Sequence, residues 1–247
     1  MMFRWWPGLD ISMTPLRKVV SRSSSVNNGW HRTTKHPAGF IGAESRPELA
    51  LFLVLAEMDP NVTAIAAQPT KVDFELDGKS CRHFPDFAVI EAEASRIYEV
   101  KTARKYADEA IRRRLSAAAR SIEARGWSYD VALDTDMRND PRFRHVEALW
   151  RRHRPIYDKL QQFAVEQAVG TGERRVADVV ADLTQLGDKA PRTEHVLSLA
   201  ANGKVFIDLT APIGPASLIR RADRSALPEP LLPKRRPADD LQWADAA

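Results

Sequence analysis

The feature that most constrains the fold is a pair of short strand-like segments, residues 83–90 and 96–101, separated by a polar break. Both segments are bounded by turn-prone residues and are rich in aromatic and β-branched residues, so they predict a β-hairpin. Because side chains alternate between the two faces of a strand, Glu99 and Lys101 share one face. Asp86 lies near the start of the first segment, where the hairpin brings it towards them.

Two carboxylates and an amine are therefore expected to converge on this hairpin. Carboxylate oxygens hold hard divalent cations, and a nearby ammonium group orients or helps deprotonate a water beside a scissile phosphate. This is the chemistry of metal-dependent phosphodiester hydrolysis. The alternative is a solvated, salt-bridging sheet face, since charged residues are common on antiparallel strands.

Length and composition limit the class of protein. The chain has 247 residues, 44% of them hydrophobic, which suffices for one large domain or two small ones. No apolar run approaches the roughly 20 residues of a membrane span, and the first residues lack the apolar core of a signal peptide. We therefore expect a cytoplasmic protein with no membrane segment.

Cysteine and histidine add no metal or redox motif to this pattern. Cys81 is the single cysteine, which excludes an intrachain disulfide and a cysteine-based zinc cluster. The six histidines show neither metal-ligand spacing nor the arrangement of a catalytic triad, so they are interpreted as surface or loop residues.

Positive charge is concentrated directly after the hairpin. Residues 101–125 carry eight basic and three acidic side chains, an excess larger than the net charge of +4 of the whole chain. A second basic cluster follows within residues 138–159. Basic residues beside a phosphodiester site suggest a phosphate-binding surface, and a solvated helix face is the alternative. The candidate DNA contacts are Arg104, Lys105, Arg112 and Arg113, with Arg114 beside them.

The segments around the hairpin predict an α/β unit. Residues 44–58 have apolar side chains at helical spacing, and Pro47 and Glu48 fall in the first turn of that helix. The remaining predicted elements are a strand over 71–76, a turn at Asp77-Gly78-Lys79, a helix over 106–125 and a strand over 127–133.

The remaining chain predicts four further regions. Residues 1–40 are expected to form an extended arm, and residues 137–170 a basic helical connector after the α/β nuclease domain, 41–136. Two short helices followed by a strand hairpin over 171–223 predict a winged-helix-like domain, which binds either DNA or a protein partner. Residues 224–247 are proline-rich and are expected to be a disordered tail.

Taken in order, these motifs resemble the amino-terminal nuclease domain of TnsA-like transposon endonucleases, within the PD-(D/E)XK, restriction-endonuclease-like superfamily. The resemblance covers roughly residues 15 to 135, with the basic residues 17–23 and Lys35 as its lead-in. The motifs that carry it are Glu44-Ser45-Arg46-Pro47-Glu48, residues 57–62, Gln68-Pro69, Phe84-Pro85-Asp86-Phe87 and Tyr98-Glu99-Val100-Lys101.

The resemblance implies a restriction-endonuclease-like α/β core and cleavage of one DNA strand at transposon ends, dependent on Mg²⁺, for which Mn²⁺ can substitute. By position, Asp86 and Glu99 would be metal ligands and Lys101 the water-positioning amine. Glu48 would be a further metal-binding catalytic acid from the first helix. Because Pro47 directly precedes Glu48, Glu44 is the alternative acid.

The implied partners are double-stranded DNA, a partner transposase and an AAA+ regulator of a Tn7-like mobile element. Two other functions stay open on the sequence. One is a non-catalytic DNA-binding or assembly protein that retains the nuclease fold, and the other is a phage or defence nuclease with the same core. The presence of Asp86, Glu99 and Lys101 together favours an enzyme.

Overall fold

A computed structural model describes residues 11–16, 28–44, 47–91 and 94–237. The chain divides into two compact units, the first made of Met1–Arg138 and Leu231–Ala247 and the second of Asn139–Pro230. The second unit is therefore inserted between two parts of the first. Among the described residues, no helix is both long enough and apolar enough to cross a bilayer.

The first unit contains eight strands and four helices within the described residues, and its last helix leads into the second unit. They are β1 (Asn28–Arg32), β2 (Phe40–Glu44), α1 (Pro47–Met58), β3 (Val62–Ala67), β4 (Val72–Leu76), β5 (Lys79–His83), β6 (Phe87–Glu91), β7 (Ser95–Lys101), α2 (Ala103–Tyr106), α3 (Glu109–Glu123), β8 (Ser128–Leu133) and α4 (Asp134–Asn139).

A four-stranded sheet in the order β3-β6-β7-β8 organises this unit. The predicted hairpin is confirmed, because β6 and β7 pair antiparallel, whereas β7 and β8 pair in parallel. The first strand starts at Phe87 instead of at His83, which ends β5 and pairs with Val72. Pro85 explains the break, since proline has no N–H to donate to a strand ladder.

The predicted turn at Asp77 and Gly78 is also confirmed, and it joins β4 to β5. Both residues have positive φ, 51° and 71°, as the two central positions of a tight hairpin turn with matching twist require. The helix expected over 106–125 is α3, which begins three residues later than predicted and is preceded by the short helix α2. The carboxylate of Asp108 accepts a hydrogen bond from the Ala110 amide at 2.8 Å and caps α3.

Helices cover the two faces of the sheet. Phe52 of α1 lies 5.0 Å from the ring of Phe87 and 5.1 Å from the ring of Tyr98, so α1 packs on the face that carries Tyr98. On the opposite face, α3 and the strand β4 bury an apolar cluster that includes Ile97 and Tyr129. The expected α/β class is confirmed, and the layers are consistent with a nuclease-like fold.

Part of the predicted arm is structured. Residues 28–44 form the antiparallel hairpin β1–β2, and the Ser12 amide donates to the carbonyl of Pro69 at 2.8 Å. The amide of Thr34 donates to the Glu57 carboxylate at 2.9 Å, which ties the loop after β1 to the end of α1. Residues 1–10 and 17–27 of the predicted arm lie outside the described residues.

The first part of the predicted tail is also structured. Leu231 and Leu232 are 4% and 3% exposed, and the amide of Leu231 donates to Oδ2 of Asp59 at 2.7 Å. Two adjacent leucines supply enough apolar surface to hold this proline-rich stretch, whose prolines lower the entropy that ordering costs. We call residues 231–237 the return segment. Residues 238–247 lie outside the described part of the chain.

The second unit has its own buried residues, among them Val165, Val196 and Leu199. Its three strands form an antiparallel sheet in the order β10-β11-β9. The predicted short helices and strands are confirmed, and residues 137–170 hold the end of α4 and two further helices. The elements are α5 (Phe143–Trp150), α6 (Lys159–Val169), β9 (Arg174–Arg175), α7 (Val176–Asp182), a 3-10 segment (Thr184–Lys189), α8 (Thr193–Ala201), β10 (Val205–Ile207) and β11 (Leu218–Arg221).

Candidate active site

Asp86 is held between two strands at the start of β6. Its backbone carbonyl accepts a hydrogen bond from the Gln68 amide at 2.8 Å. Its side-chain Oδ2 accepts another from the backbone N–H of Val100 in β7, at 2.9 Å. The carboxylate is therefore fixed against the strand that carries Glu99 and Lys101.

Glu99 and Lys101 lie on one face of β7, as strand alternation predicts. The ammonium group of Lys101 donates to Oε1 of Glu99 and lies 3.8 Å from Oδ2 of Asp86. The side chains of Asp86 and Lys101 are only 12% and 16% exposed. The structure thus brings the three predicted residues together, with the ammonium group between the two carboxylates.

Glu99 is a carboxylate in a buried site. Burial by itself raises its pKa, but the charges of His83 and Lys101 and the hydrogen bonds with them outweigh that effect and lower the pKa to about 2. Only 4% of Glu99 is exposed. A buried, ionised carboxylate next to a second carboxylate is a donor set suited to a hard cation.

Sequence reasoning missed two further residues at Glu99. Nε2 of His83 lies 3.1 Å from Oε2 of Glu99 and 3.2 Å from the hydroxyl of Tyr129. Burial, followed by the charges of Glu99 and Asp86, raises the pKa of Tyr129 well above its ordinary value, so its hydroxyl keeps its proton at neutral pH. The motif pattern contained no signal for either residue, because only the folded chain brings the end of β5 and the strand β8 to Glu99.

Glu48 occupies the first turn of α1 and is 6% exposed. Helix α1 packs on the sheet face of Tyr98 through Phe52, one turn after Glu48. Glu99 alternates with Tyr98 and so points to the opposite face. The predicted role of Glu48 as a catalytic acid supplied by α1 stays a prediction. The side chain of the alternative acid, Glu44, lies outside what the structure describes.

The residues of β6 and β7 fit a divalent cation. Oε2 of Glu99 is buried and, within the described residues, lacks a partner with hydrogen-bond geometry, although His83 is near. The ammonium of Lys101 lies between the carboxylates of Glu99 and Asp86, the two residues that would hold the cation. In the described ranges, no group of three or more histidine, cysteine, aspartate and glutamate side chains is already arranged to hold a metal.

The predicted DNA-contacting residues fall into two sets. Arg104 and Lys105 are exposed on α2, directly after the strand that carries Lys101. Arg113 is exposed but pairs with Asp77 at 2.7 Å, and Arg112 donates to a backbone carbonyl at 3.3 Å. The first set is exposed close in sequence to Lys101, whereas the second also ties α3 to its surroundings. The DNA contacts of both sets stay predictions.

A comparison with known protein families identifies the part of the chain that contains the candidate active site. Residues 59–134 match the family model described as TnsA-like endonuclease N terminal. The match contains Asp86, Glu99 and Lys101 and begins after Glu48. A search of curated proteins found no match. The resemblance seen in the motifs is confirmed over these residues.

Proposed function

Because residues 59–134 form a TnsA-like endonuclease domain, we propose that this protein is a metal-dependent DNA endonuclease of a Tn7-like mobile element. It cleaves one strand at transposon ends together with a partner transposase. The observation that carries the proposal is the ammonium group of Lys101 between two largely buried carboxylates, those of Asp86 and Glu99.

In this proposal Asp86 and Glu99 hold Mg²⁺, for which Mn²⁺ substitutes. The metal would polarise the scissile phosphate and lower the pKa of a bound water. The backbone N–H of Val100 holds the Asp86 carboxylate in place. The burial of Glu99 supports the same assignment, because excluding water strengthens charge interactions at the reacting phosphate.

Lys101 has a separate part. Its ammonium carries three N–H donors on a flexible stem, so it can leave Glu99 and orient a water or a phosphate oxygen once the carboxylates bind metal. Glu48 is proposed as the further acid supplied by α1. Its burial in the first helical turn supports that part, since a buried carboxylate is retained only where it has partners.

The proposed DNA contacts are basic side chains after β7, which are exposed except for the half-buried Arg112. Arg104 and Lys105 follow Lys101 by three and four positions on α2, and Arg112 and Arg113 lie on the next helix. Cationic side chains on duplex phosphates supply sequence-independent affinity and position the strand without reading its bases.

The second unit is proposed to be a winged-helix-like module. The order of α6, β9, α7, α8, β10 and β11, with the three strands in one antiparallel sheet, supports that assignment. Arg192 is the single lysine or arginine between residues 190 and 201, so α8 is poor in the charge that a groove-reading helix uses. Contact with the transposase or the AAA+ regulator is therefore proposed beside contact with DNA.

The test combines metal binding with strand cleavage. Mn²⁺ binding to the full chain is measured by calorimetry, and nicking of a transposon-end DNA is measured with and without a transposase of a Tn7-like element. We expect Asp86→Asn and Glu99→Gln to abolish nicking and weaken Mn²⁺ binding. The matched control Glu123→Gln changes an exposed carboxylate on α3 and should behave as the wild type.

Two outcomes would reject the proposal. Unchanged nicking by either site variant would remove the assigned metal ligands. DNA binding without Mn²⁺ binding and without nicking, in the presence of the transposase, would instead identify a non-catalytic assembly protein. Neighbouring genes for phage packaging or a methylase, in place of a transposase and an AAA+ ATPase, would favour the phage or defence nuclease.

A further inference from the structure

Three strands meet at the side chain of Glu99. Glu99 itself is on β7, His83 ends β5, and Tyr129 lies on β8. Nε2 of His83 is 3.1 Å from Oε2 of Glu99, and the same nitrogen is 3.2 Å from the Tyr129 hydroxyl. The two oxygens of Glu99 therefore have different neighbours, since Oε1 accepts from Lys101.

The sheet register explains why Tyr129 reaches this place. In the parallel ladder Tyr129 pairs with Ile97, and Glu99 pairs with Val131. Paired residues of adjacent strands point to the same face, so Tyr129 and Glu99 share the face that α3 covers. Tyr129 is fully buried and His83 has a side chain only 10% exposed, so water is largely excluded from this contact.

The contact is polar, and ring packing does not account for it. The rings of His83 and Tyr129 are 6.4 Å apart at 69°, so they meet near their polar edges instead of stacking face to face. A phenylalanine at position 129 and an apolar residue at position 83 would fill the same interior with no polar atom to satisfy. Two buried polar groups beside one carboxylate are retained where that carboxylate has to be held.

The division of the two oxygens suits a metal ligand. Lys101 has a flexible side chain and can release Oε1. His83 is largely buried at the end of β5, 3.1 Å from Oε2, and its nitrogen is in turn 3.2 Å from the hydroxyl of the fully buried Tyr129, so Oε2 keeps its place. Groups that contact a metal ligand from outside orient it and typically change metal affinity by roughly ten- to hundredfold when they are mutated.

We infer that His83 and Tyr129 are positioning residues, which hold the Glu99 carboxylate in the orientation in which it binds the divalent cation. The inference deepens the proposed function and rests on it. His83 acts through Glu99 and is not itself a ligand of the metal. Tyr129 acts through its hydroxyl, on Glu99 and on the same nitrogen of His83.

The experiment measures Mn²⁺ affinity of the full chain by calorimetry, so that its readout does not depend on cleavage. We expect His83→Ala and Tyr129→Phe to weaken Mn²⁺ binding by roughly tenfold or more. His83→Gln, which keeps an N–H donor at a similar reach, should restore part of the loss. Tyr157→Phe removes a hydroxyl in the second unit and serves as the matched control.

Far-ultraviolet circular dichroism checks that each variant is folded. If His83→Ala does not fold, the Mn²⁺ affinities of Tyr129→Phe and His83→Gln test the inference. In the cleavage assay, the Mn²⁺ concentration for half-maximal rate should rise more than the maximal rate at saturating Mn²⁺ falls. A purely structural role would lower stability without this selective change.

The outcomes separate the two proposals. If the wild type binds Mn²⁺ and both His83→Ala and Tyr129→Phe bind it equally well, the positioning role is overturned and the proposed function stands. A nitrogen coupling to bound Mn²⁺ in electron spin resonance that disappears in His83→Gln would make His83 a ligand and also overturn the inference. A wild type that binds no Mn²⁺ overturns the proposed metal site together with the inference.

Discussion

Val100 donates its backbone N–H to Oδ2 of Asp86 at 2.9 Å, a bond that joins the start of β6 to the strand carrying Glu99 and Lys101. A backbone donor cannot be changed by mutation of its side chain, so the position of the Asp86 carboxylate depends on the sheet register. The same bond makes Asp86 part of the fold as well as of the candidate site.

The bond predicts different results for two substitutions of Asp86. Asp86→Ala leaves the partly buried Val100 N–H without its acceptor, which costs about 1–3 kcal/mol in the free energy of unfolding. Asp86→Asn keeps an acceptor oxygen and should lose much less stability. Both should abolish nicking, as assayed with the partner transposase. Equal free energies of unfolding for the two variants, measured in urea, would show that the hydrogen bond from Val100 to Asp86 does not stabilise the fold.

Lys101→Arg tests the ammonium group. Arginine keeps the charge, but its planar guanidinium is larger and is not deprotonated in proteins, so it cannot take the place of the ammonium between Asp86 and Glu99. We expect a large loss of nicking rate with little change in Mn²⁺ affinity. A near-normal rate would mean that Lys101 supplies general positive charge only. Lys204→Arg, at an exposed position of the second unit, is the control.

The basic residues are tested by the salt dependence of DNA binding. Each lost phosphate contact lowers the slope of log affinity against log salt by about 0.9 on duplex DNA. Replacing Arg104 and Lys105 with alanine should therefore flatten the slope by up to about twice that amount. The pair Arg113 and Arg114 should have a smaller effect, because Asp77 and a backbone carbonyl already engage them.

The control for the salt series is Glu99→Gln, whose DNA binding is measured at the same salt concentrations as that of the wild type. Glu99→Gln should leave the salt slope at the wild-type value, because removing a carboxylate deletes no phosphate contact. If the slope is unchanged in both double variants, the DNA contact lies in residues 138–159 or on a partner protein.

The lowered pKa of Glu99 predicts an acid-sensitive fold in metal-free buffer. Burial raises this pKa, but His83 and Lys101 lower it to about 2, below the ordinary value of 4.5. A carboxylate whose pKa is lower in the folded state stabilises the fold above pH 4.5, and this contribution is lost as the pH falls through about 2. Asp86 and Tyr129 are the other titratable groups at the site.

Urea unfolding between pH 2 and pH 5 measures this contribution. The free energy of unfolding of the wild type should fall with decreasing pH more than that of Glu99→Gln, by an amount on the order of 3 kcal/mol at most. Parallel pH curves for the two proteins would show that Glu99 titrates alike in the folded and unfolded chains.

The return segment should stabilise the first unit. A chain ending at Pro230 loses the buried Leu231 and Leu232 and the 3.0 Å ion pair between Arg235 and Asp136. Large-to-small changes at such buried leucines cost about 2–5 kcal/mol each. The truncated chain should therefore melt at a lower temperature than one ending at Pro237, which is the matched control. Equal melting temperatures would show that the contacts contribute nothing.

Local patterns were sufficient for much of the fold. The Asp77-Gly78 turn and the alternation of Glu99 and Lys101 are set by neighbouring residues, so both could be predicted. The sequence predicts one strand over residues 83–90, but the break at Pro85 separates His83 from β6. His83 instead ends β5, where it pairs with Val72, and this pairing was not evident from the sequence.

The contacts of His83 and Tyr129 with Glu99 could not be predicted for a physical reason. They depend on the parallel pairing of β7 with β8 and on where β5 ends, and both are long-range relations with no local sequence pattern. The return segment shows the same limit, since two leucines in a proline-rich stretch do not reveal which surface will bury them.

The bond from the Val131 amide to the carbonyl of Arg235, 2.8 Å long, joins the edge strand β8 of the four-stranded sheet to a segment synthesised after the whole second unit. During translation the second unit leaves the ribosome before the return segment and can fold while the edge of β8 still lacks this bond. The first unit is therefore completed late, and a chain released before Leu231 lacks the return segment. Synthesis thus sets an order in which the unit that carries the candidate active site is completed only after the second unit exists.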